Sequence, residues 1–338
     1  MGALRYTGPF LFALSIPIFF YAVGPSAPLL TIALLLLVLI GAEAASPRGA
    51  APVAPQQTPS FRALPVLYVP VQLTLIAWAT VIAPHTTALG FTALALSVGV
   101  TTGVFGVLAS HELIHGDDRV EHALGLAMLT AMTYRHFRVA HIFGHHRHAA
   151  TERDPASARC GENFYAFLIR TVTGQFADAW RIESRRIAAR GLPNWQHRSA
   201  ADIAIMAILY VTLATVIGPR AAALFAGQSI VGIVVLELFN YIAHYGLMRR
   251  GRERLGDHHS WNSSNVVANA LIFNMGRHAS HHTHPTASYQ DLMHIADAPE
   301  LPAGYAGSIL LALFPPLWRR VMDPAVQSLH TDRIKAPA

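Results

Sequence analysis

Apolar runs alternate with polar, arginine-bearing stretches along the whole 338-residue chain. A helix needs about 20 apolar residues to cross the hydrocarbon core of a bilayer. Six runs reach or approach that length, at residues 8–24, 28–45, 65–84, 87–110, 202–218 and 221–239. Short turns pair consecutive runs into three hairpins. The pattern predicts an all-α integral membrane protein with six transmembrane helices, built as a single domain over residues 1–338.

The polar stretches between these runs indicate which side of the membrane carries the chemistry. Residues 46–64 are rich in Pro, Ser, Gln and Arg, which is typical of an exposed loop. Residues 111–200 and 244–338 are largely too polar to span. Six spans place all these regions on one side and leave Arg220 as the only charged residue in the turns opposite. Because basic loops mark the cytoplasmic face, we expect an inner-membrane protein whose histidine-rich regions face the cytoplasm.

The remaining composition excludes several kinds of protein. The formal charge is +6, but the arginines flank apolar runs and form no stripe with aromatic residues, so we expect no nucleic-acid partner. Cys160 is the only cysteine, which excludes an internal disulfide, a thiolate zinc ribbon and a cysteine-held iron–sulfur cluster on this chain. The chain also lacks a glycine-rich dinucleotide loop. Any electrons that the protein uses must therefore come from another molecule.

The chain has nineteen histidines, and many of them fall into four short motifs. These motifs are HELIH at 111–115, HIFGHH at 141–146, NYIAHYG at 240–246 and RHASHH at 277–282. Histidines four residues apart, such as His111 and His115 or His141 and His145, share one face of a helix. Imidazole nitrogens at this spacing, repeated in distant segments, predict helices that converge on a metal centre. Imidazole suits iron, copper, nickel and zinc, so the ligands alone do not identify the metal.

Carboxylates near the motifs would offset the charge of metals held by neutral imidazole. The acidic residues placed for bridging, outer-shell or orienting roles are Glu112, Asp154, Glu237 and Asp257. HELIH alone also matches the HExxH signature of zinc proteases, in which Glu112 would act as the base. A single zinc prefers four ligands, however, and would leave most of the other clustered histidines unexplained. Two metals account for these histidines better.

These motifs and their flanks resemble those of the membrane alkane hydroxylases (alkane 1-monooxygenases), within the wider group of histidine-rich membrane hydroxylases and desaturases. HELIH and HIFGHH resemble the family's first two boxes, NYIAHYG resembles its tyrosine–glycine box, and residues 259–292 resemble its last box with its flanks. Residues 151–170, 179–186 and 315–324 also look like family segments. The resemblance therefore covers most of the chain from about residue 100 onward.

The resemblance implies a metal centre, a reaction and partners. It implies two irons, held by His111, His115, His141, His145, His146, His244, His278, His281 and His282. The implied reaction inserts one atom of O2 into a terminal C–H bond of an alkane or related alkyl chain, and the second atom leaves as water. Rubredoxin would deliver the electrons after reduction by an external NAD(P)H-dependent reductase. Beside the irons we expect Glu112, Asp154 and Asp257 as catalytic carboxylates.

Departures from the family pattern leave the substrate open. Ala140 and Ala243 stand where the family often has Glu, so a divergent member could act on aromatic methyl groups, fatty acyl chains or another lipid. A desaturase would use a similar centre, but the HYG motif argues against it. An intramembrane zinc protease would rest on HELIH alone and would make His278, His281 and His282 dispensable. A metal carrier would need polar residues within the spans, which the first four spans almost lack.

Overall fold

The computed structural model describes residues 2–45, 59–249 and 253–335. Within these ranges the regular structure is helical, apart from one isolated bridge between Asn262 and Glu300. The prediction of an all-α protein is confirmed. Most of the loop predicted at 46–64 lies outside the described residues, but its last part is helical. A helix begins at Pro59. Proline suits the first turn of a helix, because its φ is already fixed near the helical value and the N–H that it lacks would have no partner there.

The first half of the described chain contains five mostly apolar helices. They are α1 (Gly8–Ala22), α2 (Leu29–Ala45), α3 (Pro59–Ile82), α4 (Ala88–Thr101) and α5 (Val107–His115). A π-helical turn at Thr102–Gly106 joins α4 to α5. The fourth predicted span therefore runs without a break into HELIH, as the sequence indicated.

The second half alternates short helices with three long ones. Its elements are α6 (Arg119–Ala131), α7 (Phe137–Val139), α8 (His146–His148), α9 (Phe164–Ala189), α10 (Arg198–Thr212), α11 (Pro219–His244), α12 (Val266–Leu271), α13 (His278–Thr283), α14 (Gly304–Ala312) and α15 (Pro315–Lys335). A π-helical turn at Ala140–His145 joins α7 to α8. Short 3-10 turns link several of the other helices.

Four helical segments in the described chain are long and apolar enough to cross a membrane. These segments are Pro59–His85, Ala88–His115, Arg198–Ile217 and Pro219–His244. The helices α1 and α2 are apolar but shorter, at 15 and 17 residues. At a rise of about 1.5 Å per residue, neither reaches the ~30 Å of a hydrocarbon core by itself. Four candidate spans are therefore observed, and the count of six stays a prediction.

The segment that carries HELIH lies at the centre of the helical bundle, in close contact with α11. A Cβ atom at Gly103 would lie 2.6 Å from the carbonyl oxygen of Gly232, so the two backbones approach as only glycine permits. At the same level, buried Gln72 of α3 donates to Thr102 (2.9 Å), and Thr102 donates to Gln228 of α11 (3.1 Å). These contacts hold three long helices in register and fix the depth at which α5 presents its histidines.

Candidate metal centre

The four histidine motifs meet at one end of the bundle, although they are far apart in the chain. HELIH ends α5, HIFGHH spans the π turn and the start of α8, His244 ends α11, and the last motif forms most of α13. Their side chains form two groups, each with ligand atoms within 4.8 Å of one another. The five-histidine group is His111, His115, His141, His146 and His281. The four-histidine group is His145, His244, His278 and His282.

The second motif supplies both groups, because its backbone is a π turn. A spacing of four residues predicted that His141 and His145 share one face. In a π-helix the hydrogen bonds run from i to i+5, so the side chain that returns to the face of His141 belongs to His146. The Nε2 atoms of His141 and His146 lie 3.0 Å apart, whereas His145 joins the other group. The rings of His141 and His145 still stack, with centroids 5.3 Å apart, as expected for residues on one face, but their ligand atoms belong to different groups.

The distances between imidazole nitrogens fit metal coordination. Metal–imidazole bonds of about 2.1 Å place neighbouring ligand nitrogens roughly 3.0 Å apart in octahedral geometry and about 3.4 Å apart in tetrahedral geometry. The close Nε2–Nε2 pairs in the five-histidine group include His111–His141 at 2.8 Å and His115–His146 at 3.3 Å. In the four-histidine group they include His244–His278 at 3.0 Å and His145–His282 at 3.3 Å. Both groups can hold a metal ion.

The protonation state of the histidines also suits metal binding, which requires neutral imidazole. Burial lowers the pKa of His141, His278, His281 and His282 well below the ordinary value, and the neighbouring imidazoles lower it further by charge repulsion. Burial is also the main cause that lowers the pKa of His146, to about 2. At neutral pH these side chains therefore present lone pairs.

Asp154 supports the four-histidine group from outside. His145 Nδ1 donates to Asp154 Oδ2 at 2.8 Å, and the same oxygen accepts from Ser157 Oγ at 2.7 Å. Burial acts to raise the pKa of this carboxyl, but the charge and hydrogen bond of His145, together with bonds from Ser157 and the Ala156 N–H, lower it below its usual value. The carboxylate thus fixes the Nδ1–H tautomer of His145 and turns Nε2 toward the group.

Glu112 lies beside the five-histidine group. It lines a polar pocket of about 530 Å³ together with His111, His115 and His281 of the five-histidine group. Its Oε1 accepts a hydrogen bond of 3.2 Å from the backbone N–H of Tyr289. Arg62 pairs with Asp118 and Glu121 at this pocket. The structure therefore places Glu112 on the wall of a polar pocket that also reaches the five-histidine group.

The other two carboxylates proposed from sequence are not brought to the histidines. Asp257 begins the half-buried 3-10 turn Asp257–His259, and within the described chain it joins neither group. Glu237 is fully buried in α11 and accepts hydrogen bonds from Tyr134, Thr171, Gln175 and Asn240. Its position is explained by this polar network, since all of its partners are protein donors.

A third titratable cluster was not anticipated from sequence. Glu253 lies beside two adjacent histidines, 3.0 Å from His258 Nε2 and 3.4 Å from His259 Nε2. His258 and His259 are consecutive, so no helical spacing marked them as a pair. The Glu253 carboxylate thus contacts both rings, and neither ring belongs to the two histidine groups.

A narrow cavity of about 40 Å³ touches both histidine groups from the apolar side. It reaches His111 and His141 of the five-histidine group and His278 of the four-histidine group. The rest of its wall is mainly hydrocarbon, from Gly103, Val107, Leu108, Phe137, Leu236, Phe239, Ala243 and Met275. Two further polar residues, Asn240 and Tyr305, complete the wall. Sequence reasoning missed Asn240, because a single amide in an apolar helix carries no spacing signal.

The fold and the histidine groups define a class of protein. Apolar helices surround buried imidazole clusters, and the sequence profile of the fatty acid desaturase family matches residues 86–309. That range includes all nine clustered histidines. The protein is a helical membrane protein of this family, with clusters that can hold metal.

Comparison with individual proteins narrows the class further. The chain is 39% identical to alkane 1-monooxygenase 2 of Pseudomonas aeruginosa over 86% of its own length and 80% of the relative. It is 35% identical to the alkane 1-monooxygenase of Acinetobacter baylyi over 85% of its length and 72% of the relative. A more distant match, 28% identical over 66% of the chain and 61% of the relative, is the xylene/toluene monooxygenase hydroxylase component of Pseudomonas putida. The chain belongs to the alkane 1-monooxygenase family of oxidoreductases.

Proposed function

We propose that this protein is a di-iron membrane monooxygenase that hydroxylates the terminal C–H of an alkane or related alkyl chain with O2. The observation that carries the proposal is the narrow cavity between the bundle and the histidines. Its walls are mainly hydrocarbon. It ends on His111 and His141 of the five-histidine group and on His278 of the four-histidine group. A cavity this narrow admits the end of an alkyl chain, so the reacting carbon would be terminal.

The nine clustered histidines would hold the two irons, five at one and four at the other. When bound, the irons supply activation of O2 for insertion into a C–H bond. The protein supplies positioning and a dry environment, since Val107, Leu108 and Phe239 exclude water from the cavity. Asp154 holds the His145 ring in its ligating orientation.

Glu112 is proposed to carry protons from water to the five-histidine group. Reduction of one oxygen atom to water consumes two protons, and an apolar cavity cannot provide them. Glu112 Oε1 is held by Tyr289 N–H, and no donor of the described residues contacts Oε2. This oxygen can exchange protons with water in the polar pocket that Glu112 shares with His111 and His115.

Electrons are proposed to come from rubredoxin, through a surface that we name the arginine groove. This groove of about 880 Å³ lies along α9, and its arginines are Arg147, Arg153, Arg181, Arg185, Arg186, Arg190 and Arg198. Only Asp178 and Glu183 offset their charge within it. Phe143 and Gly144 of the π turn also line it, so a single helix of about 10 Å diameter separates the groove from the histidines on the other face. A strongly basic surface so near the centre suits an acidic electron carrier.

The proposed orientation places the histidine groups and the arginine groove at the cytoplasmic face of the inner membrane. The single cysteine allows a direct test, because Cys160 is exposed in the polar region between the two pairs of candidate spans. A membrane-impermeant maleimide should label Cys160 in inverted vesicles and leave it unlabelled in intact spheroplasts. Labelling of spheroplasts would contradict the orientation, and the Cys160→Ser variant controls for non-specific reaction.

The function itself is tested by metal content and products together. Detergent-purified protein should contain about two irons per chain and should convert octane to 1-octanol when given O2 and reduced rubredoxin. Hexadecane, a fatty acid and p-xylene in the same assay define the substrate class. One zinc per chain without oxygen consumption would overturn the di-iron proposal. Two irons with an alkene product would instead identify a desaturase.

A further inference from the structure

The wall of the narrow cavity carries one amide, Asn240 of α11. We infer that Asn240 Oδ1 accepts a hydrogen bond from the hydroxyl group of the alcohol product, and so positions product in preference to alkane. This inference rests on the proposed hydroxylation, since the product's hydroxyl is the donor that Asn240 would bind.

The orientation of the Asn240 amide is fixed by its neighbour one turn earlier in α11. Asn240 Nδ2 donates to Glu237 Oε2 at 3.0 Å. A carboxylate only accepts hydrogen bonds, so the NH2 end of the amide must face Glu237 and the carbonyl end must face away from it. The reverse orientation would place two acceptors against each other in a buried site.

Glu237 is itself held firmly enough to act as this anchor. Its Oε1 accepts from Tyr134 (3.0 Å) and Gln175 (2.8 Å), and its Oε2 accepts from Thr171 (3.0 Å) as well as from Asn240. Donors from α9, α11 and the segment before α7 therefore surround the carboxylate. Rotation of Asn240 would break one bond of a fully satisfied buried network, which opposes any flip of the amide.

The carbonyl oxygen of Asn240 is available to a bound ligand. Within the described chain no donor reaches Oδ1, and Asn240 lies on the cavity wall between Phe239 and Ala243. An alkane has no polar hydrogen and gains nothing from this acceptor. A primary alcohol formed at the histidine end of the cavity has one O–H, and it can donate to Oδ1 without leaving the apolar site. The acceptor thus discriminates product from substrate.

The test compares binding of an alkane and of its alcohol in the absence of turnover. Iron-loaded protein in neutral-lipid nanodiscs, without reductant, is equilibrated with radiolabelled octane, which is then displaced by unlabelled octane or by 1-octanol. The measured quantity is the ratio of the two displacement constants. In Asn240→Leu the preference for 1-octanol should fall about fivefold, as expected for one neutral hydrogen bond, while octane binding changes little.

Thr171→Val is the matched control, because it also removes one donor from Glu237 but does not line the cavity. Its ratio should equal that of the wild type. Tyr305→Phe removes the hydroxyl of the other polar, non-histidine residue on the wall, and its ratio should also be unchanged.

Four results would overturn the inference. An unchanged ratio in Asn240→Leu removes the acceptor role but leaves the proposed function standing, since octane still binds. An equal loss of the preference for 1-octanol in Asn240→Leu and Thr171→Val would show that the substitutions act by disturbing the packing of Glu237. A change of the ratio in Tyr305→Phe alone would assign the hydrogen bond to Tyr305. Wild-type protein that binds neither ligand would remove the alkyl-binding function, and the inference with it.

Discussion

Replacement of Asp154 by Asn should weaken metal binding at the four-histidine group alone. Asp154 accepts from His145 Nδ1 (2.8 Å), Ser157 Oγ (2.7 Å) and the Ala156 N–H (3.1 Å) while buried. Asn keeps the shape but removes the negative charge that favours His145 as a metal ligand. Loss of such an outer partner costs 10- to 100-fold in metal affinity, which is about 1.4–2.7 kcal/mol.

On the proposal of one iron at each group, the assay is a chelator titration of purified wild-type, Asp154→Asn and Ser157→Ala protein, with iron counted per chain. The Asn variant should release half of its iron at a chelator concentration roughly 10- to 100-fold lower than the wild type. The remaining half should leave nearly as in the wild type, because among the described residues Asp154 makes no hydrogen bond to the five-histidine group. Ser157→Ala removes a donor to the same oxygen but leaves the His145 contact, so its titration should change little.

Two outcomes would refute this reasoning. If Asp154→Asn retains both irons with a wild-type chelator profile, Asp154 does not support His145 as a ligand. If both irons are lost in parallel with a lowered melting temperature, the substitution acts by unfolding the protein and not at one group. Thermal unfolding of the same samples separates the two cases.

Other predictions concern pH and the arginine groove. Metal-free protein should lose stability as pH falls from 7.5 to 5.5. In the folded protein the pKa values of buried histidines such as His278 and His282 lie below the unfolded value of about 6.5. The unfolded chain therefore binds more protons than the folded chain as pH falls. Each such histidine contributes on the order of 1 kcal/mol to this loss, and a melting temperature that does not fall on acidification would contradict the prediction. The double variant Arg185→Gln and Arg190→Gln should raise the KM for reduced rubredoxin about tenfold at low salt without changing kcat, since both side chains are exposed and unpaired within the described chain. Arg319→Gln with Arg320→Gln removes the same charge from α15 and should leave the KM unchanged; equal effects of the two pairs would indicate only general surface charge.

Local patterns in the sequence were enough to predict the helical class and to single out the histidines that lie together. Apolar runs predict membrane helices without any knowledge of tertiary contacts, because a run of about 20 apolar residues is itself what a helix needs to span the bilayer. The four motifs likewise named all nine histidines that the structure brings together. Family membership followed from the same motifs and agrees with the relatives found. The boundaries were less secure, as the helical start at Pro59 shows.

Tertiary structure decided how those histidines are divided and which carboxylates serve them. The rings of His141 and His145 stack, as their spacing predicted, but a π turn brings His146 to His141, and the ligand atom of His145 belongs to the other group. Whether a helical turn widens in this way depends on its packing, which residue spacing does not encode. Asp154 reaches His145 through a loop, whereas Asp257, which also follows a motif within a dozen residues, belongs to neither histidine group. Only the folded chain, by packing distant segments together, determines which polar groups meet.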